Sequence, residues 1–391
     1  MDRNKKKKGI QRKYFIAGIL ALAVIVVAAE ILLLTGVFGK KDKKKNANNV
    51  TPTETAGQPT KKTEVTQAPP ANPDLVTVYR ETVRYFMNNA ESYPGLKMKY
   101  NEQGQMTEYL EMDYTESVYI HRRYEYDSEG RLVKTEQYGE NGELSETTTR
   151  TFDEAGNTRE ILYQPGPGKL ISPERTSYEY DEKGRKVKES MHALEPEVFE
   201  YEIDYVYNDA DLQTDYYWHG AHGDSVEHYH YDFDSAGREI RSSKEQEDGT
   251  YITITKKEYD GKGNLIGDVL YNEEGLWVAS RRYSYDERGL LLEKRDLSSE
   301  EGDPDQFYSK TVCLYDEKGR KTRETMYYTD DVILSDEGFV YDENGCLKEK
   351  VYYNEVGTVS SSVKYEYMAF SIPYDKLTEA DLEWYNRENR Q

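Results

Sequence analysis

Four of the six histidines fall within one stretch, YYWHGAHGDSVEHYHYDF, at His219, His222, His228 and His230. Clustered imidazoles suggest a zinc-type site, which needs three or four nitrogen, sulfur or carboxylate ligands. Read as strands about a reversal, the stretch puts His219 and His222 beside the turn and His228 about 20 Å along the outgoing strand. The four then do not meet. His228 and His230 share a strand face and are the candidate metal pair, but the sequence identifies no third ligand, and no cofactor is expected. Trp218 and Trp277 sit beside turns, where an indole could stack on a sugar or pack on the sheet edge. Cys313 and Cys346, the only cysteines, should stand three strand spacings or about 14 Å apart, beyond the roughly 7 Å between Cα atoms that a disulfide spans. Paired carboxylates abound, yet none is singled out by its setting. No phosphate loop, nucleophile elbow or HExxH occurs. These residues point to binding and not to an enzyme.

The elements that must position them announce themselves by repetition. An aromatic residue, Asp or Asn, two further residues and Gly recur as YNEQG at Tyr100, YDSEG at Tyr126, FDEAG at Phe152 and YDEKG at Tyr180. The series continues at Tyr207, Phe233, Tyr259, Tyr285, Tyr315 and Tyr341, with most spacings at 26 residues. Gly fills the fifth slot at Gly104, Gly130, Gly156, Gly184, Gly237, Gly263, Gly289, Gly319 and Gly345, and Asp211 fills it in the remaining copy. Asp at the head of a turn and Gly in the left-handed region are turn chemistry. A second turn follows about twelve residues later, as in YGENG at Tyr138 and YNEEG at Tyr271. Each repeat is therefore two strands and two reversals. Counting the aromatic as zero, apolar residues at −2 and at +7 (Val133, Val187, Ile240, Ile266) favour a four-residue loop that pairs −2 with +7 on one face. That face carries tyrosines and the other carries charge.

The fold class expected is all-β: an antiparallel meander of tandem repeats over 75–374, elongated or spiral, ending in a short capping helix at 375–391. For that helix Thr378 is the N-cap, Asp381 stands at N3, and Leu377 with Leu382 forms a hydrophobic staple. It should cover the last sheet edge. VTVYRETVRYF at 76–86 reads as helix or strand, its phase with the repeat favouring strand. Thirty-seven tyrosines in 391 residues stand against roughly a dozen in ordinary usage, while aliphatic residues are scarce.

The units RRYEYDSEGRLVK, TSYEYDEKGRKVK and RRYSYDERGLLLE resemble the YD repeat of the rearrangement-hotspot (RHS) and teneurin family over roughly residues 95 to 370. The resemblance implies a coiling sheet with aromatic residues inside and a secreted or surface-anchored placement. Large relatives enclose a C-terminal toxin. Ten copies are too few for a closed shell, and only about 24 residues follow the last one.

The N-terminus differs. Residues 1–13 are basic. Residues 14–39 contain an apolar run from Phe15 to Phe38, interrupted by Glu30 and Thr35, about 36 Å as a helix and long enough to span a bilayer. Residues 40–74 read as a Thr/Pro-rich linker. Up to residue 74 there are 14 basic and 6 acidic side chains, which leaves 38 basic and 68 acidic beyond it, a net of −30. Such a surface repels nucleic acid. The expectation is a single-pass, membrane-anchored bacterial cell-surface protein, held by residues 14–39 with its C-terminal domain outside. It would bind carbohydrate or a surface protein without catalysis. The alternative is a structural or delivery remnant of a polymorphic toxin system.

Overall fold

The computed structural model describes residues 75–88, 91–221, 226–298, 307–328 and 331–388. The basic terminus, the expected span at 14–39, the linker and His222 lie outside the described residues. Among the described residues the chain forms 22 strands, numbered β1 to β22 in chain order, and one α-helix, α1 (Glu379–Glu388).

Every strand pairs antiparallel with its successor, and the first pairs with the last. β1 (Leu75–Asn88) lies against β22 (Val359–Pro373) from Leu75↔Pro373 to Phe86↔Val363. The expected open or spiral meander is thereby corrected to a closed 22-strand barrel, and the copies do suffice for closure. The segment 76–86, which was ambiguous between helix and strand, is the strand that closes it.

The hairpins explain how. Between β4 (Val118–Tyr126) and β5 (Leu132–Tyr138), Gly130 N donates to Asp127 O at 3.0 Å and Asp127 N donates to Arg131 O at 3.0 Å. The loop is three residues, a turn completed by Gly130 at φ 81°, where a Cβ would be strained. Asp127 Oδ1 accepts from the backbone N–H of Glu129 and of Arg131, each at 2.9 Å. The four-residue loop is corrected. Tyr126 pairs with Leu132, Glu125 with Lys134 and Tyr124 with Thr135, so Val133 at +7 is the extra residue of a β-bulge. The second edge repeats the device, with Tyr138↔Leu144 followed by Gln137↔Glu146. Bulges bend and twist the strand that bears them, and one near almost every reversal curls the sheet until its ends meet.

A ring of 22 strands is too wide for side chains from opposite walls to meet. Fully buried apolar residues are accordingly few, and one group of them (Val76, Val78, Ile372 and Leu377) lies at the β1–β22 seam. There α1 packs with Leu382 and Tyr385. Thr378 Oγ1 accepts from Asp381 N at 3.2 Å, and Asp381 Oδ2 accepts from Thr378 N at 2.9 Å, a reciprocal cap. Asp381 also pairs with Arg80 of β1, Nη2 to Oδ2 at 2.9 Å. The helix clasps a seam; with the sheet closed, it has no free edge to cover.

No helix among the described residues is long and apolar enough to cross a membrane. The expected single-pass placement by an apolar helix is thereby corrected: the only α-helix among the described residues is the short α1. Both faces of the wall carry charge. Lys99, Glu125, Glu179, Glu258 and Glu366 are exposed on one, and Arg150, Lys186 and Glu189 accompany the tyrosines on the other.

Candidate functional site

The repeat motif is occupied by structure. The hydroxyl of Tyr126 donates to Met106 O at 2.8 Å, that of Tyr180 to Thr158 O at 2.8 Å and that of Tyr207 to Lys186 O at 2.7 Å. Tyr259, Tyr285, Tyr341 and Tyr367 repeat the bond. The acceptor is always the +6 residue of the preceding repeat, beside the bulge. Arg131 returns to Asp127, Nε to Oδ2 at 2.7 Å, and its guanidinium lies 4.5 Å from the ring of Phe152 in the next repeat. Arg185 over Tyr207, Arg238 over Tyr259 and Arg320 over Tyr341 repeat this at 4.7, 4.6 and 4.8 Å. The turn glycines have φ between 71° and 96°. Tyr, Asp, Gly and Arg of the motif thus lock successive hairpins together, and function must be sought where the pattern departs from itself.

It departs at β10 (Glu197–Tyr207), β11 (Gln213–Gly220) and β12 (Val226–Phe233). On the tyrosine face Tyr205, Tyr216 and Tyr229 stand side by side, and Ile203, Trp218 and Glu227 form the next row. With Gln213 and Tyr231 they line a cleft of about 430 Å³. Tyr216 and Tyr229 are stacked with centroids 4.6 Å apart, and Tyr231 lies 6.2 Å from Tyr216. Glu227 accepts from Tyr229 Oη and from Lys244 Nζ, each at 2.7 Å. The bond from Lys244, then that from Tyr229, holds its carboxyl below the usual range. The cleft therefore offers flat aromatic faces beside an ionised, oriented acceptor.

Trp218 belongs to this cleft and Trp277 does not. Trp277 begins β16 (Trp277–Tyr285), pairs with Tyr271 and lies on the opposite face of the wall, so the two indoles form no joint site.

The histidines occupy the back of the same strands. His228 stands opposite Tyr217, and His219 opposite Val226. The hairpin therefore folds His228 back to within a diagonal step of His219, about 7–8 Å, which corrects the 20 Å separation read from the sequence. His219 Nε2 meets Asp204 Oδ2 at 3.0 Å. His228 Nε2 and His230 Nδ1 both meet Asp215 Oδ1 at 2.8 Å. His228 Nδ1 meets Glu245 Oε2 at 2.7 Å and the hydroxyl of Tyr251 at 3.0 Å. Among the described residues no group of three or more His, Cys, Asp or Glu side chains is placed to hold a metal ion. Both nitrogens of His228 are already engaged by carboxylates. The carboxylate partners could not have been assigned without strand register, which is why the sequence left the pair without a third member. Cys313 and Cys346 are buried free thiols, and burial pushes Cys346 up to about 12.

The fold is a closed antiparallel β-barrel. No family model matches the chain, and no curated protein matches it. The resemblance to RHS/YD-repeat proteins is corrected on that ground and by the closure of the ring. Among solved structures, TcdB2-TccC3 is 9% identical over 81% of this chain with a TM-score of 0.36. The Photorhabdus luminescens Tc holotoxin pore is 8% identical over 81%, also at 0.36. This chain spans less than a fifth of their length, 18% and 17%. A porin-like protein from Bacteroides uniformis is 8% identical over 76% of this chain and 99% of its own, at a TM-score of 0.27. At these TM-scores no likeness carries an argument about function.

Proposed function

We propose that this barrel is a non-enzymatic binding module displayed at a cell surface, and that its ligand is a carbohydrate held in the cleft of Tyr205, Tyr216, Trp218, Tyr229 and Tyr231. The cleft carries the reading. Pyranose rings present an apolar C–H face that lies flat on an aromatic ring, and their hydroxyls seek fixed acceptors such as Glu227 and Gln213. The rings are held before any ligand arrives, because strand pairing sets Tyr216 against Tyr229 and Lys244 fixes Glu227. Such pre-organisation lowers the ordering cost of binding. The wide ring supplies a rigid wall and the acidic surface keeps it in solution.

The test is calorimetric titration of the full chain with neutral hexasaccharides of cello, xylo, chito and malto type. Trp218→Ala should weaken binding by about tenfold to a hundredfold, from the apolar area it removes, whereas Trp277→Ala should leave it unchanged. Absence of binding across the panel, or equal loss from both variants, refutes the reading.

A further inference from the structure

Alternation along a strand places Tyr216 and Trp218 on one face of β11 and Asp215, Tyr217 and His219 on the other; on β12 it separates Tyr229 and Tyr231 from His228 and His230. The histidine cluster is thus the back of the cleft, built on the same two strands. Resting on the binding reading above, we infer that His228 is a proton-operated latch that sets how firmly these strands hold the aromatic cleft.

The geometry is specific. His228 is nearly buried, with 11% of its side chain exposed, and stacks on Tyr217 with centroids 4.2 Å apart. Carboxylates stand at hydrogen-bond distance from both of its ring nitrogens, Asp215 at Nε2 and Glu245 at Nδ1. Both contacts are favourable only when the ring carries both protons, since a neutral imidazole has one N–H and one lone pair. With two protons, His228 ties β11, β12 and β13 (Glu239–Glu245) together through charge-assisted bonds. When the Nδ1 proton leaves, a lone pair faces the Glu245 carboxylate. The alternative partner is already in place: the Tyr251 hydroxyl, on β14 (Tyr251–Tyr259), can donate to Nδ1. The latch then exchanges a charged bond for a neutral one.

The other titratable or charged groups around it are Asp215, Tyr217 and His219 on β11, Asp204 on β10, His230 and Asp232 on β12, Glu245 and Arg241 on β13, and Tyr251 and Lys256 on β14. Asp204 is engaged by His219 and by Lys188 at 3.4 Å. Asp232 is engaged by Arg241 at 2.6 Å. Burial alone would raise the Asp215 carboxyl, but the bonds from His230 and then His228 outweigh it and hold it below the usual range, so it stays a charged acceptor throughout.

The experiment is amide hydrogen exchange on the full chain at about pH 5.5 and 8, spanning the range in which imidazoles ordinarily titrate. Rates are corrected for intrinsic exchange and referred to β4 and β5. Protection of Tyr216–Trp218 and His228–His230 should fall about fivefold to tenfold at the higher pH, the difference between a charged and a neutral hydrogen bond. His228→Gln should abolish the dependence. Glu245→Gln should hold the low-pH protection at both values, because its amide can donate to the neutral ring. Tyr251→Phe, which removes the alternative donor, should widen the change. An unchanged ratio in the native chain, or a dependence that survives in H228Q or E245Q, overturns the latch. Exchange is read without ligand, so absence of saccharide binding with the latch intact refutes only the binding reading.

Discussion

Raising the pH from 9 to 12 tests the tyrosine wall directly. Burial, the leading cause in each case, pushes the hydroxyls of Tyr100, Tyr126, Tyr178, Tyr283 and Tyr315 from an ordinary 10.0 up to about 12. The folded state therefore favours the neutral phenol. Its contribution is complete below the unfolded value near 10 and is lost as the pH rises toward 12. Two pH units correspond to about 2.7 kcal/mol per group, and partial exposure of the rings reduces that to roughly 1 kcal/mol each. Five such groups give about 5 kcal/mol, comparable with the whole stability of many domains. The barrel should unfold cooperatively between about pH 10 and 12. Absorbance of tyrosinate at 295 nm should rise in a single step that coincides with loss of the far-ultraviolet β signal.

Lysines also titrate in this range, so the tyrosines must be isolated. The double variant Tyr100→Phe/Tyr126→Phe removes the bonds to Glu81 O and Met106 O, at 2.7 and 2.8 Å. At neutral pH it should cost about 2 kcal/mol by urea unfolding. Near pH 12 that deficit should vanish, because the native chain has by then lost the same two contributions of roughly 1 kcal/mol each. The convergence is the signature. A smooth tyrosinate titration centred near 10 with the β signal intact, or a variant whose deficit persists undiminished toward pH 12, refutes the claim that these hydroxyls hold the wall.

Two other side chains allow predictions of opposite sign. Arg150 faces the tyrosines, its Nη1 is buried without a hydrogen-bond partner, and burial lowers its pKa, so Arg150→Met should stabilise the barrel by about 1–3 kcal/mol in urea. Asp381 has its carboxyl held low, since Arg80 and Thr378 outweigh the effect of burial. The seam should therefore be firm above about pH 4 and loosen as the pH falls below it; Asp381→Ala should cost about 3 kcal/mol at pH 7, and Asp381→Asn should flatten the acid dependence of exchange at Val76–Arg80.

What could be read in the sequence was what depends on local chemistry. The β class, the positions of the reversals and the Thr378–Asp381 cap all follow from residues within five positions of one another. What failed depends on register. The Val133 slot looks apolar and invites pairing with Tyr124, but the three-residue loop closed by Asp127 and Arg131 puts Thr135 there and expels Val133 as a bulge. That one-residue difference also decides closure, because the bulge is what bends the sheet. The histidines failed for the same reason. Asp215 and Glu245 are 13 and 17 residues from His228, and only the pairing of three strands brings them to its two nitrogens.

Register also gives the tyrosine surplus its physical sense. An aliphatic core works by filling a centre, and a 22-strand ring has no centre that side chains can fill. Stability must then be built within the wall, between neighbouring hairpins, where a long side chain with an apolar ring and a polar tip serves better than leucine. Tyr126 covers the strand beside it and reaches the Met106 carbonyl next to the bulge, a group that would otherwise be left with weakened pairing. Phe152 and Phe233 show that the ring alone suffices at isolated positions, where Arg131 still covers Phe152. The same argument separates function from scaffold. A tyrosine whose hydroxyl is tied to a backbone carbonyl of the preceding repeat belongs to the wall. Tyr216 and Tyr231 have no such tie and stand beside Trp218 and an oriented Glu227, and it is there that the wall has surface to give to a ligand.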